Sequence, residues 1–402
     1  MVSIRFVRIA SALAVAMLLQ ACGSLPRLDA VPPASTERAS IPGIPNARYW
    51  VDRDLTPFIQ LVIQDIRRES QALAEAGKPS DPMPVANLLA ISGGGDAGAF
   101  AAGVLIGWTA HGTRPQFRVV TGVSVGALVA PFAFLGPAYD HVLQRIVTSI
   151  SPDDVFHNRS MLTGLASDGI ADSEPLSQLL AKYVTPEVLA AIAAEYGKGR
   201  ALMIRTTDLD SGRPVLWSMG TIASSRAPDA LKLFHKIMIA SMSIPGAVSP
   251  VMIEVEVDGK HFQEMHVDGG VLGQVFLYPP RMLMELEKTT GIPLQREIRA
   301  YVIRNGKLTP HWSETPRRTL DIGGRAISAL IQEQGISDLK RLYRVARQDR
   351  VDFNLAYIDS DFNYPHAREF DSAYMRRLFD YAYQLSAKGY PWRRAPPGEG
   401  CE

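Results

Sequence analysis

Cysteine is scarce in this chain, whose 402 residues include only Cys22 and Cys401. Two cysteines that lie so far apart suggest neither a metal cluster nor a framework of disulfide bonds. The chain also lacks an excess of charge, since 42 lysine and arginine residues stand against 41 aspartate and glutamate residues. A formal charge of +1 generates no long-range field that would attract nucleic acid, so we expect no nucleic-acid partner.

A hydrophobic run long enough to cross a bilayer is also missing near the N-terminus. Arg5 and Arg8 are followed by a short apolar run over residues 9–19, and the sequence Leu-Gln-Ala-Cys then ends at Cys22. A charged start, a short apolar run and a processing site form a signal peptide rather than part of the fold. The ending resembles a bacterial lipobox, which implies removal of residues 1–21 and attachment of lipid to the thiol of Cys22. An ordinary signal peptide with an incidental cysteine is the alternative.

The residue after this cysteine bears on location. Gly23 stands where an aspartate would be the usual inner-membrane retention signal, so the resemblance favours the outer membrane if the source has one. Removal of residues 1–21 deletes two arginines and no acid. We therefore expect a lipid-anchored protein of the bacterial cell envelope, held at the membrane by its acyl chains and not by a basic patch.

The composition of the chain, 47% hydrophobic and 21% charged, is that of a globular protein with a large core. Residues 22–45 are rich in proline, alanine and serine and show no apolar periodicity, which predicts a flexible tether. Residues 46–85 form an N-terminal helical extension, because apolar residues recur at helical spacing over residues 57–76.

A glycine-rich segment follows. Residues 86–91 are a short apolar run typical of a buried strand, and residues 99–108 are small and apolar enough for a helix packed close to a sheet. Between them lie four glycines: Gly93, Gly94, Gly95 and Gly98. Free N–H groups at a helix N-terminus make this loop a candidate anion site, for either a nucleotide phosphate or the oxyanion of an acyl-transfer intermediate.

A candidate nucleophile lies in a second unit of strand, turn and helix. Residues 118–121 predict a strand and residues 127–135 a helix, and between them stands Gly122-Val123-Ser124-Val125-Gly126. This context is that of a nucleophile elbow, in which flanking glycines permit a tight turn that exposes the serine at a helix N-terminus. Ser124 is therefore the candidate nucleophile, and an inert serine in a tight turn is the alternative.

A serine hydroxyl needs a base before it can attack at neutral pH. Asp268 is followed by Gly269 and Gly270, which suggests a strand that ends with the carboxylate at the rim of a sheet, although Asp-Gly is also a common turn. His266 lies two residues earlier, so on a strand it would share a face with Asp268. Asp268, His266 and His261 are thus the candidate bases.

The three motifs together resemble the patatin-like phospholipase family, whose members carry a glycine-rich oxyanion loop, Gly-x-Ser-x-Gly and Asp-Gly-Gly in this order. Two lesser blocks, over residues 206–214 and 240–246, also look like the family's pattern. The resemblance implies an α/β fold, a three-layer sandwich with a mostly parallel central sheet flanked by helices. It also implies a catalytic core over residues 86–280, on which a C-terminal α/β part over residues 281–402 packs.

The same resemblance implies a mechanism without a cofactor or metal. Asp268 accepts the proton of Ser124, and Ser124 attacks an ester carbonyl of a phospholipid or related lipid to form an acyl-enzyme. The oxyanion is held by backbone amides of Gly93, Gly94 and Gly95, and the other motif glycines are Gly98, Gly122, Gly126, Gly269 and Gly270. Because a carboxylate is a weak base, we predict that desolvation raises the pKa of Asp268.

The oxyanion loop departs from the family at Ala97, where many members carry lysine or arginine. The donors of an oxyanion hole are backbone amides, which Ala97 does not remove. The contribution of a cationic side chain at this position to headgroup binding is put in doubt.

Three other functions compete with this interpretation. An α/β-hydrolase esterase with a Ser-Asp-His triad would use His261 or His266 as its base. A non-catalytic, lipid-binding lipoprotein of the envelope would keep the fold without turnover. A dinucleotide-binding unit would need an acid about 20 residues after the glycine loop, in the region where Ser124 stands instead.

Periodicity predicts the remaining elements. We expect helices over residues 174–183, 186–196, 229–242, 319–348 and 371–387, with the fourth broken or split around Gly335. We expect strands over residues 200–206, 215–219, 251–257, 298–304 and 351–358, and a turn at residues 258–259.

Overall fold

The computed structural model describes residues 25–78, 82–155, 157–158, 168–291, 295–309, 312, 314–366 and 368–399. The predicted signal peptide over residues 1–21, the predicted lipidation site Cys22, and Cys401 lie outside these residues. Within the described part of the chain, no helix has both the length and the hydrophobicity that a membrane span requires.

The described chain has twelve strands, nine of which form one mixed sheet. The strands in chain order are β1 (Arg48–Trp50), β2 (Ala86–Ile91), β3 (Val119–Val123), β4 (His157–Asn158), β5 (Gly169–Asp172), β6 (Ala201–Asp208), β7 (Arg213–Ser218), β8 (Gly246–Val248), β9 (Val251–Val257), β10 (Lys260–Asp268), β11 (Ile298–Arg304) and β12 (Asp352–Tyr357). The order β12–β11–β2–β3–β6 is parallel throughout. From β6, the pair β7–β1 and the pair β10–β9 extend the sheet in antiparallel orientation, and β4, β5 and β8 form a separate small sheet.

Helices cover both faces of the large sheet. They are α1 (Thr56–Glu75), α2 (Gly98–His111), α3 (Val125–Leu135), α4 (Asp140–Ser149), α5 (Pro152–Val155), α6 (Glu174–Tyr183), α7 (Pro186–Gly197), α8 (Met219–Ala223), α9 (Ala230–Met242), α10 (Met282–Thr290), α11 (Thr319–Gln348) and α12 (Ser372–Ala387). Two short 3-10 helices, Gly95–Ala97 and Gly269–Val271, follow β2 and β10.

Two hydrophobic cores make the fold a three-layer sandwich. Leu89 and Ile91 of β2 belong to the core that contains α2, α3, α9 and α12, whereas Leu88 and Ala90 belong to the core that contains α1, α10 and the second half of α11. Alternate residues of a strand point to opposite faces, so covering both faces demands the continuous apolar runs seen in the central strands. The predicted α/β class, with its mostly parallel central sheet flanked by helices, is confirmed.

Helix α2 is buried because its small residues allow another helix to come very close. A Cβ on Gly103 or Gly107 would collide with the backbone of α12, at Phe379 and Tyr383 respectively. Only hydrogen fits at these two positions. The apolar character of α2 on all sides follows from its place between the sheet and α12.

The ladder of β6 brings two strand ends together. β7 occupies one side of β6 over Met203–Asp208, so the other side is shared: β3 pairs with its first five residues, and β10 pairs with its last three. In this register Val123 lies opposite Arg205, and Asp268 lies opposite Thr206. The ends of β3 and β10 therefore meet head to head along β6.

The predicted tether is corrected by the structure. Residues 25–45 pack against the β9–β10 hairpin: Ser40 and Glu256 exchange backbone hydrogen bonds of 3.1 and 2.9 Å, and Ile41 and Ile44 are buried. The open backbone groups of an edge strand explain this, because they offer hydrogen-bond partners that a proline-rich segment can use without forming a strand of its own.

The predicted break in the long helix is also wrong, because α11 runs uninterrupted from Thr319 to Gln348. Gly335 marks a close approach instead, since a Cβ there would lie 2.7 Å from Nη2 of the buried Arg304. The helix predicted over residues 99–108 extends three residues further, to His111, and the other predicted helices and strands agree with the structure to within two residues at their ends.

A buried ion pair is expected to hold the N-terminal segment of the described chain, residues 25–50, on the β9–β10 hairpin. Arg48 and Glu264 form a bidentate pair whose side chains are 4% and 1% exposed. Arg48→Met leaves the Glu264 carboxylate buried without its cation, and we expect a loss of about 3–5 kcal/mol in the free energy of unfolding, measured by urea denaturation.

Arg38→Met is the matched control, because it breaks a pair between the same segment and the same hairpin. That pair, with Asp258, is 58% and 71% exposed, so its loss is expected to cost about 1 kcal/mol or less. Equal effects of the two substitutions would contradict the importance of the buried pair.

Candidate active site

Ser124 occupies a strained turn between β3 and α3. Its φ of 54° and ψ of −127° lie in a region that residues other than glycine rarely adopt. The turn is possible only between glycines: a Cβ on Gly122 would collide with the backbone of Gly126, and a Cβ on Gly126 would collide with the carbonyl of Ile91. The backbone is thereby forced to present Ser124 at the N-terminus of α3, where its amide donates to Ser241 Oγ at 3.0 Å.

Asp268 is the partner of this serine. The Ser124 hydroxyl and the Gly270 amide donate to its carboxylate, the latter at 2.6 Å. The side chain is almost completely buried, and this desolvation raises its pKa to about 6, although the two hydrogen bonds act in the opposite direction. The predicted upward shift is therefore present, and it brings a carboxylate into the range of a useful base at neutral pH.

The glycine loop lies directly against the nucleophile. A Cβ on Gly93 would be 3.1 Å from Cβ of Ser124 and 2.9 Å from Oε1 of Gln274, and a Cβ on Gly94, whose φ is 152°, would collide with the Asn305 carbonyl. Gly98 is needed for a similar reason, because a Cβ there would collide with Val125. Hydrogen atoms at these positions let the loop approach Ser124.

The three predicted oxyanion donors are not equivalent. The Gly93 amide already donates to the Gln274 carbonyl at 3.0 Å. The amides of Gly94 and Gly95 have no acceptor among the described residues. Donors that are held in place yet unused in the resting protein are what an oxyanion hole requires, so the geometry favours Gly94 and Gly95 over Gly93.

Gln274 joins the two halves of the site, and the sequence motifs do not reveal it. Its side-chain amide donates to the Gly270 carbonyl at 2.9 Å, and its backbone carbonyl accepts from Gly93. Its own backbone amide donates to the Asp338 carboxylate of α11 at 2.6 Å. The turn that carries Asp268 and the glycine loop are thereby fixed to each other and to a helix far along the chain.

Asn305 and Ser241 position the backbone around Ser124. Asn305 directly follows β11, and its side chain donates to the Ser92 carbonyl at 2.9 Å and accepts from the Ala101 amide at 3.1 Å. Ser241 lies in the second of the lesser blocks. Its hydroxyl accepts a hydrogen bond from the Ser124 amide and donates one to the Arg205 carbonyl. Only the tertiary structure shows these roles, because each partner lies 36 or more residues away in sequence.

The two histidines that competed as bases lie elsewhere. His266 is fully buried, and its ring nitrogens face Thr206 Oγ1 at 2.9 Å and Glu264 Oε2 at 3.1 Å. His261 is exposed near the opposite end of β10, about 20 Å along the strand from Asp268. Neither ring forms a hydrogen bond with Ser124 in the described structure, whereas the carboxylate of Asp268 does.

The remaining predicted site glycines lie at the turn after β10. A Cβ on Gly269 would collide with the Arg205 carbonyl, and a Cβ on Gly270 would be 2.5 Å from Nε2 of Gln274 and 2.9 Å from the Asp268 carboxylate. Bulkier residues would therefore displace the base. The described residues contain no group of three histidine, cysteine or acidic side chains arranged to bind a metal.

Residues 89–279 match a family described as patatin-like phospholipase. VipD from Legionella pneumophila is 12% identical with a TM-score of 0.38, and the match covers 76% of this chain and 66% of that one. Human GIVD cytosolic phospholipase A2 is 11% identical with a TM-score of 0.30, and the match covers 70% of this chain and 51% of that one. The chain thus spans about two thirds and one half of these two structures, and no curated protein sequence matches it.

The raised pKa of Asp268 predicts an unusual dependence of stability on pH. Folding raises this pKa from about 4 to about 6, so the folded protein binds the proton more tightly and loses stability as pH rises through this interval. Asp268→Asn removes the charge. At pH 8 its free energy of unfolding is expected to exceed that of the wild type by about 1–3 kcal/mol. In urea denaturation this gain should fade towards pH 4.

Asp52→Asn provides a control of opposite sign. Bonds from Arg213 outweigh partial burial and lower the pKa of Asp52, so this substitution should reduce stability at pH 8. A less stable Asp268→Asn protein at pH 8 would contradict the cost that we assign to the buried carboxylate.

Proposed function

We propose, from the premise that residues 89–279 are a patatin-like phospholipase domain, that the protein is a serine acyl hydrolase of lipid esters. Phospholipids or related lipids are the substrates, and the Ser124–Asp268 dyad is the catalytic pair. One observation carries this proposal. The hydroxyl of a strained serine donates to a buried carboxylate of raised pKa, beside a loop with unused backbone amides.

Acylation begins with the existing hydrogen bond between Ser124 and Asp268. Asp268 takes the hydroxyl proton while Ser124 Oγ attacks the ester carbonyl, whose oxygen becomes negatively charged. The amides of Gly94 and Gly95 supply donors to that oxygen, and the N-terminus of α3 adds positive potential at Ser124. Collapse of the intermediate expels the alcohol, which receives the proton from Asp268 and leaves an acyl group on Ser124.

Deacylation repeats these steps with water. The carboxylate of Asp268 removes a proton from water as the water oxygen attacks the acyl-enzyme. Collapse of the intermediate releases the fatty acid, and Asp268 returns the proton to the Oγ of Ser124. A base with a pKa of about 6 suits both steps, because it is ionised at neutral pH and still has affinity for the transferred proton.

Exposed apolar side chains near the dyad support a lipid substrate. Val271 follows the Asp-Gly-Gly turn and Ile244 follows Ser243, whose carbonyl accepts from the Asp268 amide; both apolar side chains are about 40% exposed. Leu330 of α11 is 70% exposed, and the same helix reaches the turn through Gln334, which donates to the Val271 carbonyl at 3.3 Å. Apolar groups that lie together on the surface are a common feature of surfaces that contact lipid or protein.

The membrane anchor is a separate part of the proposal. Its support is the lipobox-like sequence that ends at Cys22, together with the apolar run before it. We propose that Cys22 is lipidated and that the protein is held at the bacterial cell envelope, at the outer membrane if the source has one. The dyad would then act close to a bilayer.

Activity on defined phospholipids tests the hydrolase. Wild type is expected to release fatty acids and lysophospholipids identifiable by mass spectrometry, whereas Ser124→Ala and Asp268→Asn should lower kcat by about 10³–10⁴-fold. For the wild type, kcat/KM should fall about tenfold per pH unit below about 6, since protonated Asp268 is no base.

His261→Ala is the control, because its ring is exposed and far from the dyad, and it should retain wild-type activity. Equal product release by wild type and Ser124→Ala would refute the proposal. If the folded protein also failed to react with a serine-directed fluorophosphonate, the non-catalytic lipid-binding alternative would replace it.

The anchor is tested in a bacterial host by labelling with radioactive palmitate. We expect Cys22→Ser to abolish incorporation and to move the protein from the membrane fraction to the soluble fraction. Cys401→Ser, which changes the other cysteine, should keep both the label and the membrane location. Label that persists in Cys22→Ser would show that the anchor has been assigned wrongly.

A further inference from the structure

A cavity of about 580 Å³ lies beside the glycine loop and is not used by the dyad. Ala97 of the loop, Ser328 and Gln332 of α11, and Asn363 are among the residues that line it. Its volume falls within the range of small-molecule sites in proteins.

The lining of this cavity is positively charged. Arg304, at the end of β11, and Lys307 contribute two cations, and none of the described residues that line it is aspartate or glutamate. Asp96 contacts His366, which lines the cavity. The carboxylate of Asp96 already accepts from His366 at 2.7 Å and from the Phe370 amide at 2.8 Å. The two cations thus face the cavity without an acid opposite them.

Arg304 keeps both its charge and spare hydrogen-bonding capacity. It is buried, and desolvation lowers its pKa to about 10, so the guanidinium remains protonated at neutral pH. No carboxylate among the described residues lies within ion-pair distance, and its Nε has no hydrogen-bond acceptor. A buried, protonated guanidinium without an ion-pair partner is suited to bind an anion.

The position of Arg304 links this cavity to the reaction. Its Nη1 donates to the Gly93 carbonyl at 3.3 Å and approaches Ser92 Oγ at 3.4 Å. Gly93 in turn lies against Ser124, because a Cβ on Gly93 would be 3.1 Å from Cβ of Ser124. Arg304 thus contacts the residue that packs on the nucleophile, and Ala97 of the same loop lines the cavity.

We propose that this cavity binds the phosphodiester of a phospholipid headgroup, with Arg304 and Lys307 as the residues that select phosphate-bearing esters over neutral glycerides. The proposal rests on the function proposed above. The guanidinium offers paired donors that match phosphate oxygens, and Lys307, which is only partly buried, adds a second charge to the lining. Substitution at Ala97 by a large residue would fill part of the same cavity.

The test compares two lipids that differ only in the phosphate headgroup. The rates of hydrolysis of dioleoylphosphatidylglycerol and dioleoylglycerol are measured in micelles of an uncharged detergent, and the ratio of the two kcat/KM values is the readout. We expect Lys307→Glu and Arg304→Gln to lower this ratio about 10-fold or more, because each removes a charged hydrogen-bond donor. Lys307→Ala should produce a smaller fall in the same direction.

Lys260→Ala is the matched control, because it removes an exposed cation at the start of β10, at the end of the strand away from Asp268. It should leave the ratio unchanged. Since the readout is a ratio, a partly destabilised Arg304→Gln protein remains informative. Lys307 is only partly buried, so its variants are expected to fold normally.

Three outcomes would overturn the proposal. The ratio could remain unchanged in all variants, both rates could fall in the same proportion, or wild type could hydrolyse only dioleoylglycerol. The last outcome leaves the hydrolase itself intact, whereas wild type that hydrolyses neither lipid refutes the proposed function as well.

Free phosphate is separated from a headgroup by a further measurement. sn-Glycerol 3-phosphate should inhibit hydrolysis of dioleoylphosphatidylglycerol competitively in wild type and less in Lys307→Ala. If inorganic phosphate instead alters dioleoylglycerol hydrolysis through Lys307 while the ratio is insensitive to the variants, the cavity is a site for free phosphate and the headgroup assignment is wrong.

Discussion

The hydrogen bond from Ser124 to Asp268 depends on one feature of the sheet, the sharing of β6 by two strands. β3 and β10 reach this strand from opposite directions and pair with successive parts of the same side. Their ends must therefore face each other. Ser124 directly follows the end of β3, and Asp268 is the last residue of β10. Burial at this junction both fixes the pair and raises the pKa of the base.

Close packing of backbone on backbone completes the site. Gly126 contacts the end of β2, Gly94 contacts Asn305 after β11, and Gly269 contacts Arg205 of β6. Each contact joins two backbone segments at the carboxyl edge of the sheet without an intervening side chain. This close packing holds the glycine loop beside Ser124, and it leaves no room for a side chain at Gly94.

Much of this arrangement was predictable from local sequence. The strands over residues 86–91 and 298–304 agree with the structure at both ends, because burial on both faces of the sheet demands uninterrupted apolar runs. The helix over residues 174–183 also agrees at both ends, because its apolar residues recur at helical spacing along one buried face. Residues 25–45 were not predictable, since their proline content describes the isolated segment and not the edge of the β9–β10 hairpin on which it lies. The predicted helix break at Gly335 was wrong for a similar reason. It is a helix breaker by local propensity, yet it sits in α11 because Arg304 needs the space.

The sequence by itself determined the two tight turns of the site, because the glycines that such turns require stand directly beside Ser124 and Asp268. The strand pattern alone did not distinguish Asp268 from His266, since residues two apart on a strand point to the same face. The tertiary structure distinguished them, because it places Thr206 and Glu264 against the ring of His266 and Ser124 against Asp268. Gln274, Asn305 and Arg304 likewise gained their contacts with the glycine loop only through folding. Hydrogen bonds and charges act through space, and the partners of these side chains are set by the order of strands and not by their spacing along the chain.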